Sequence, residues 1–233
     1  MKLYIGNKTY SSWSMRPWVL MRACGVAFEE MWVPFDGFEA YHSFKKTMAA
    51  LHPAATVPAL AAEGQVFADS LAIAEYLHEA YPQAGIWPTD RGNDLTDGRL
   101  MRSKARLLAA LMHSGFSALR THCLMNIGAD LSHVGAELYE AHTDLRQDIV
   151  RLEAILAPYL SGQGYLCGDF CAADAFYAPV MSRIETYGLP VSAPLAAYQG
   201  RLLAHPAVRE WYEGALAENI FLDFEEPYRS SSD

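Results

Sequence analysis

The stretch "TVPALAAEGQVFADSLAIAEYL", residues 56–77, holds a hairpin and a helix start in one short run. "VPALAA" and "QVFAD" are apolar runs separated by Glu63-Gly64. A two-residue turn ending in Gly between such runs predicts a β-hairpin. Asp69 and Ser70 then stand directly before "LAIAEYLHEAY", where apolar residues recur at helical spacing up to Pro82. The pair marks a helix N-terminus, with Ser70 placed to cap the first turn. Free amides and the helix dipole there would hold a carboxylate, and Asp69 would receive an ammonium group; plain capping is the alternative reading. Pro58 opens the hairpin without a backbone donor. A cis Val57–Pro58 bond would turn the Val57 backbone outward to pair with an extended peptide. An ordinary trans proline at a strand start fits the same residues.

Upstream, "KLYIG" is a short apolar strand and "PWVLMRACG" a helix closed by Gly25. "FEEMWVPF" alternates as a strand up to Pro34. Residues 35–52 are polar and irregular, with a helical piece near "YHSFKKTMAAL". The order β-α-β-α-β-β-α predicts a small α/β layer, not a doubly wound sheet. Downstream, "PQAGIWPTDRGND", residues 82–94, is rich in Pro, Gly and Asp and reads as an interdomain linker. After it the strand signals stop. "LTDGRLMRSKARLLAALMHSGFSALRTHCLM" and "GAELYEAHTDLRQDIVRLEAILAPYL" read as long amphipathic helices, followed by shorter ones near 172–187, 193–204 and 206–217. The expected organisation is an α/β domain over 1–81, a linker over 82–94 and an all-helical domain over 95–233. The tail "YRSSSD" is expected to fray.

The 233 residues carry a net charge of −9 and no basic run, which argues against a nucleic-acid partner and an anionic membrane surface. No apolar stretch reaches membrane-spanning length, and "MKLYIGNKTY" lacks a signal-peptide core, so a cytoplasmic protein is expected. Cys24, Cys123, Cys167 and Cys171 form no C-x-x-C pair and read as reduced, largely buried thiols. His113, His122 and His142 have no partners at metal-ligand spacing, so no metal is expected.

"YSSWSMRPW", residues 10–18, follows the first strand. An interior proline costs about 3 kcal/mol, so Pro17 is expected in the first turn of its helix, which then starts near Trp13 or Ser14. Ser11 and Ser12 fall at or just before the positive end. A hydroxyl there can donate to a ligand thiolate that the dipole also favours, lowering a thiol pKa from its ordinary ~8.5. The alternative is that both serines only cap.

Taken together, "TVPAL", the "DS" pair and the serines before the first helix resemble the glutathione transferase superfamily over essentially the whole chain. The resemblance implies a thioredoxin-like N-terminal domain, an all-α C-terminal domain, glutathione as co-substrate without a metal, and a homodimer. It implies that Asp69 and Ser70 bind the γ-glutamyl end of glutathione and that Thr56, Val57 and Pro58 form the cis-proline element, with Val57 pairing the cysteinyl backbone. "SSWSMR" is similar to the zeta-class pattern S-S-C-x-x-R, which makes Ser11, five residues before Arg16, the catalytic serine and Ser12 the second candidate. Trp13 stands where that class has its cysteine. Trp13, Met112, Phe116, Ser117 and Arg120 would form the electrophile pocket, the last four around "SGFSAL". Thr56 replaces a longer side chain of many relatives, so His42 or Lys46 would hold the glycyl carboxylate. The family's buried capping box matches "GDFCAADAFYAPV", with Cys171 as cap, Asp174 as its partner and Phe170 as a hydrophobic staple. The implied activity is conjugation of the glutathione thiolate to a small electrophile. A glutathione-dependent cis-trans isomerase resembling maleylacetoacetate isomerase, or a non-catalytic binding module, shares the same site.

Overall fold

The computed structural model describes residues 1–89 and 95–230. The first half runs β1 (Lys2–Ile5), α1 (Ser12–Ala23), β2 (Glu29–Trp32), α2 (Ser43–Leu51), β3 (Ala59–Ala62), β4 (Gln65–Phe67) and α3 (Ser70–Ala80), the order expected. The strands form one sheet in the order β2-β1-β3-β4. β1 pairs parallel with β2, which requires the crossover that α1 supplies, whereas β1–β3 and β3–β4 are antiparallel. Glu63 and Gly64 both take positive φ, the backbone that a two-residue hairpin turn demands. Side chains alternate across the sheet. Leu3, Ile5 and Leu60 enter the large core with Val19 of α1 and Ile73 and Leu77 of α3. Ala59 faces the other way, onto Phe44 and Met48 of α2. This is the thioredoxin-like layer that the resemblance implies.

The second half runs α4 (Leu95–Ser114), α5 (Ser117–His122), α6 (Ser132–Ala141), α7 (Thr143–Leu156), α8 (Ala172–Thr186), α9 (Ala193–Leu203) and α10 (Pro206–Glu218). α1 packs against α8 and α10, and α4 against α8. Trp18 and Trp211 meet edge to face at 5.3 Å, and the Trp211 indole donates to the Lys8 carbonyl at 3.1 Å. Burying each large apolar side chain contributes roughly 1.5–3 kcal/mol, so this seam ties the two halves together. Among the described residues no helix is long and apolar enough to cross a membrane.

Several expectations are corrected. α1 begins at Ser12, so Pro17 sits in its second turn and deletes the rung to Trp13. "GAELYEAHTDLRQDIVRLEAILAPYL" is two helices broken at His142, whose backbone is extended. Arg146 stabilises the break by donating to the carbonyls of Tyr139 and Glu140 at 2.6 Å each. Within the expected linker, Ile86 and Trp87 are fully buried, and Ala172 at the start of α8 donates to the Ile86 carbonyl at 2.8 Å. Residues 90–94 lie outside the described residues. Tyr228 in the expected frayed tail is tied down by its hydroxyl to the His122 carbonyl at 2.8 Å; residues 231–233 lie outside the described residues.

The capping box at α8 is present as expected: the Cys171 amide donates to Asp174 at 3.1 Å. Asp174 also accepts from the Leu166 amide at 3.0 Å and the Tyr198 hydroxyl at 2.9 Å. Burial nonetheless pushes its carboxyl up to about 6. Phe170 stacks on the His205 ring at 4.1 Å and meets Tyr165 edge to face.

Candidate functional site

The N-terminus of α1 forms one wall of a cleft of about 280 Å³. A tight turn places it there: the Ser11 amide donates to the Asn7 carbonyl at 2.7 Å, and Asn7 Oδ1 accepts the Phe35 amide at 2.8 Å. Gly6 makes room for that loop, since a Cβ on it would lie 2.2 Å from the Phe35 ring. Phe35, Phe38 and Phe44 form an apolar side of the cleft, packed edge to face at 4.9–6.0 Å.

Ser11, Ser12 and Trp13 all line the cleft. Ser11 holds the N-cap position but makes no side-chain capping bond; its Oγ lies 2.7 Å from Ser14 Oγ, which accepts the Gly6 amide at 3.2 Å. Ser12 Oγ accepts from Arg183 Nη2 at 3.2 Å. Arg183 rises from the buried interior of α8 and also donates to the carbonyls of Cys123 at 2.7 Å and Pro179 at 3.1 Å.

Arg16 is fully buried, and none of its three guanidinium nitrogens has a hydrogen-bond partner among the described residues. It lies over the Trp13 ring at 4.0 Å, and Arg120 lies over the same ring at 5.6 Å. Burial, helped by Arg183 and Arg120, pulls Arg16 down to about 9 against the pull of Asp69. Burial likewise lowers Arg183 to about 10. Three guanidiniums therefore surround the positive end of α1, an environment that favours an anion.

The Val57–Pro58 bond is cis, and Thr56 and Val57 line the cleft beside Lys45, whose Nζ donates to the Ala55 carbonyl at 2.9 Å. Lys45 thus stands where His42 or Lys46 was expected; neither of those lines the cleft, and the His42 ring accepts the Glu39 amide. At α3 the roles within "DS" are the reverse of the expectation. Asp69 is the N-cap, with Oδ1 accepting from Leu71 and Ala72 at 2.8 and 3.0 Å. Ser70 is the first helical residue, and its Oγ is buried without a partner among the described residues. Asp69 Oδ2 lies 3.4 Å from His113 Nε2, and the His113 ring meets Trp13 edge to face at 5.1 Å. Burial lowers the His113 pKa. Asp69 and Ser70 lie outside the cleft lining but join it through His113 and Trp13.

The expected electrophile pocket is only partly assembled. Trp13 and Arg120 line the cleft. Met112 and Phe116 are core residues; the chain reverses at Phe116 in the left-handed region and tucks its ring under Arg151 and against Tyr177. Ser117 opens onto a separate surface depression with His122 and Asp144. There the structure groups His122, His142 and Asp144 within 4.8 Å, a juxtaposition that sequence spacing hides. The two imidazoles stack at 3.9 Å, so their in-plane lone pairs do not converge on one point. A larger cavity of about 760 Å³, lined by Met101, Lys104, Cys167 and Cys171, contains none of the expected site residues.

Sequence reasoning missed the titratable lining residues Tyr10, Lys45, Arg183 and Glu225, and the apolar ones Phe35, Phe38, Phe44, Leu124 and Met125. The one available signal was Arg183, the single charge in the run "AFYAPVMSRI".

Residues 10–80 match the family model described as glutathione S-transferase, N-terminal domain. That N-terminal segment belongs to the glutathione S-transferase N-terminal domain family. The chain's relatives include zeta-class proteins. The chain is 28% identical to maleylacetoacetate isomerase of Pseudomonas aeruginosa, over 90% of this chain and 94% of that one. It is 27% identical, with a TM-score of 0.65, to holo maleyl pyruvate isomerase, a bacterial zeta-class glutathione S-transferase, covering 92% of this chain and 98% of that one. A Burkholderia glutathione transferase homologue with bound glutathione shares the fold at a TM-score of 0.65 and 24% identity, over 93% and 97% of the two chains.

Proposed function

We propose that the chain binds glutathione in extended form and conjugates its thiolate to a small electrophile. The observation that carries this reading is that Ser11 occupies an N-cap position, makes no capping bond and lines the cleft. A serine cap is ordinarily worth about 1 kcal/mol to its helix, so a serine that leaves it unmade, and pairs with Ser14 Oγ instead, suits another role. Because Ser14 Oγ accepts from Gly6, the Ser14 proton can turn to Ser11 and the Ser11 proton into the cleft. Ser12 is the second donor, its oxygen already engaged by Arg183. Together with the dipole of α1 these groups stabilise the thiolate.

The cysteinyl backbone pairs with Val57 at the cis-Pro58 turn. The γ-glutamyl carboxylate meets the unpartnered Ser70 hydroxyl and the amides of α3, while Asp69 Oδ2 faces the ammonium group. Lys45, beside Thr56, holds the glycyl carboxylate. Trp13 and Arg120 border the electrophile. Residues 1–81 supply the glutathione half of the site and 95–233 the electrophile half. A homodimer in the cytoplasm completes the proposal: Leu100 and Leu107 stand half-exposed seven residues apart on α4, and all four thiols are unpaired.

A second reading, a glutathione-dependent cis-trans isomerase, is favoured by the guanidiniums of Arg16, Arg120 and Arg183. They suit an electrophile that carries carboxylates, to which the thiolate adds, allowing rotation before it leaves. Turnover of an activated aryl halide against a cis-enone diacid separates the two. Retention on immobilised glutathione tests both together: no binding at millimolar glutathione overturns them. Retention with neither substrate turned over leaves a non-catalytic binding module.

A further inference from the structure

The segment after α10 crosses back over the N-terminal half. Asn219 takes the left-handed conformation that turns the chain off the helix. Glu226 then anchors the segment: it is buried, its carboxylate lies 2.7 Å from the Tyr10 hydroxyl, and it also takes the side-chain amide of Asn126 and Arg229. The Tyr10 hydroxyl accepts the Leu222 amide at 3.3 Å, and Phe224 meets Phe38 edge to face at 5.5 Å. With Glu226 committed to the anchor, its neighbour Glu225 is held over the cleft. Glu225 lines it together with Ser11, Ser12, Trp13, Arg120 and Arg183, and its half-buried carboxyl makes no hydrogen bond or ion pair among the described residues.

We propose that Glu225 is the general acid of this cleft, delivering a proton to the carbonyl oxygen of a conjugated enone as the glutathione sulfur adds to its double bond. This rests on the function proposed above and narrows its electrophile to the α,β-unsaturated carbonyl class. In the step, the C–S bond forms and the C=C π bond breaks. Its electron pair shifts to form the new double bond between the α-carbon and the carbonyl carbon, the C=O π pair moves onto oxygen, and the Glu225 O–H proton goes to that oxygen, leaving Glu225 as carboxylate and an enol that tautomerises to the ketone in water. The thiol proton of the next glutathione, released as Ser11 stabilises the thiolate, restores the acid. An aryl halide expels halide and needs no such proton.

The surroundings keep the carboxyl protonated into the neutral range. Burial pushes it up to about 7, assisted by Glu226 and opposed by Arg183. The other charged or titratable groups facing the cleft are Tyr10, Lys45 of α2 and Arg120 of α5. A group titrating there matches proton transfer at neutral pH.

The test compares wild type, Glu225→Gln and Glu225→Asp with a simple enone and an activated aryl halide across pH. Glu225→Gln is expected to lower kcat for the enone by roughly 100-fold and to abolish the alkaline limb of its pH profile. Glu225→Asp retains that limb. Aryl halide turnover and the titration of bound glutathione stay as in wild type. An unchanged enone profile in Glu225→Gln overturns the proposal, as does an equal loss with both electrophiles, which marks a structural strap. Failure of the wild type to bind glutathione overturns the underlying function as well, and so is told apart from failure of Glu225 alone.

Discussion

The hydroxyls of Ser11 and Ser14 lie 2.7 Å apart, and Ser14 is in turn fixed by the Gly6 amide at 3.2 Å. The Ser11 hydroxyl and the Gly6 amide both donate to Ser14 Oγ here; with glutathione bound, the proposed order of donors runs from the Gly6 amide to Ser14, from Ser14 to Ser11 and from Ser11 to the sulfur. Ser14→Ala cuts it behind the reacting hydroxyl. The Gly6 amide is left unpaired in the interior, at a cost of about 1–3 kcal/mol in unfolding free energy. The thiol pKa of bound glutathione rises, but less than when Ser11 itself is removed. Denaturant unfolding and ultraviolet thiolate absorbance against pH read the two effects separately.

Arg183 joins α8 to Ser12 and faces the same cleft. A charge-assisted hydrogen bond contributes about 1.5–3 kcal/mol, so Arg183→Leu should weaken kcat/KM for a carboxylate-bearing electrophile by roughly 10- to 100-fold. An uncharged electrophile should lose much less. Stability should change little, because the lost bonds to Cys123 and Pro179 are offset by no longer burying a cation. Steady-state kinetics with both electrophile types decides it; equal losses contradict the assignment.

Asp174 sets a pH dependence of stability. Its carboxyl titrates near about 6 in the fold against an ordinary 3.8, because burial disfavours the charge. Between those values the folded chain holds the extra proton, so this residue's contribution falls as pH rises through that window and is greatest below it. Asparagine has no such proton. The excess stability of wild type over Asp174→Asn should therefore be larger at about pH 5 than at about pH 8. Denaturant midpoints of both proteins at the two pH values check this, and a gap that is constant or reversed contradicts it.

What was legible in the sequence was local chemistry. Gly25 at the end of α1, the Glu63-Gly64 turn and the helix start at Asp69-Ser70 each follow from backbone preferences of a few adjacent residues. The serine pair before α1 was legible for the same reason. Errors arose where tertiary contacts outweighed those preferences. Pro17 sits one turn deeper than its cost suggests, inside a helix clamped by α8 and α10. The α6–α7 break carries neither Gly nor Pro and depends on Arg146 reaching back. Lys45 rather than Lys46 faces the cleft because one residue along α2 turns the side chain about 100°. Phe116 turns into the core through its left-handed backbone, and Met112 is fully buried on α4. Arg183 and Glu225 come from α8 and the C-terminal segment, and no local pattern ties either to residues 10–18.

The account turns on the Ser11 hydroxyl, and the pH titration of the bound glutathione thiol tests it most directly. Ultraviolet thiolate absorbance should place the wild-type thiol well below its ordinary ~8.5. In Ser11→Ala it should rise by roughly 1–2 units, the equivalent of a lost hydrogen bond to a charged group. Ser12→Ala should give a smaller rise. An unchanged titration in Ser11→Ala, with glutathione still bound, would contradict the assignment.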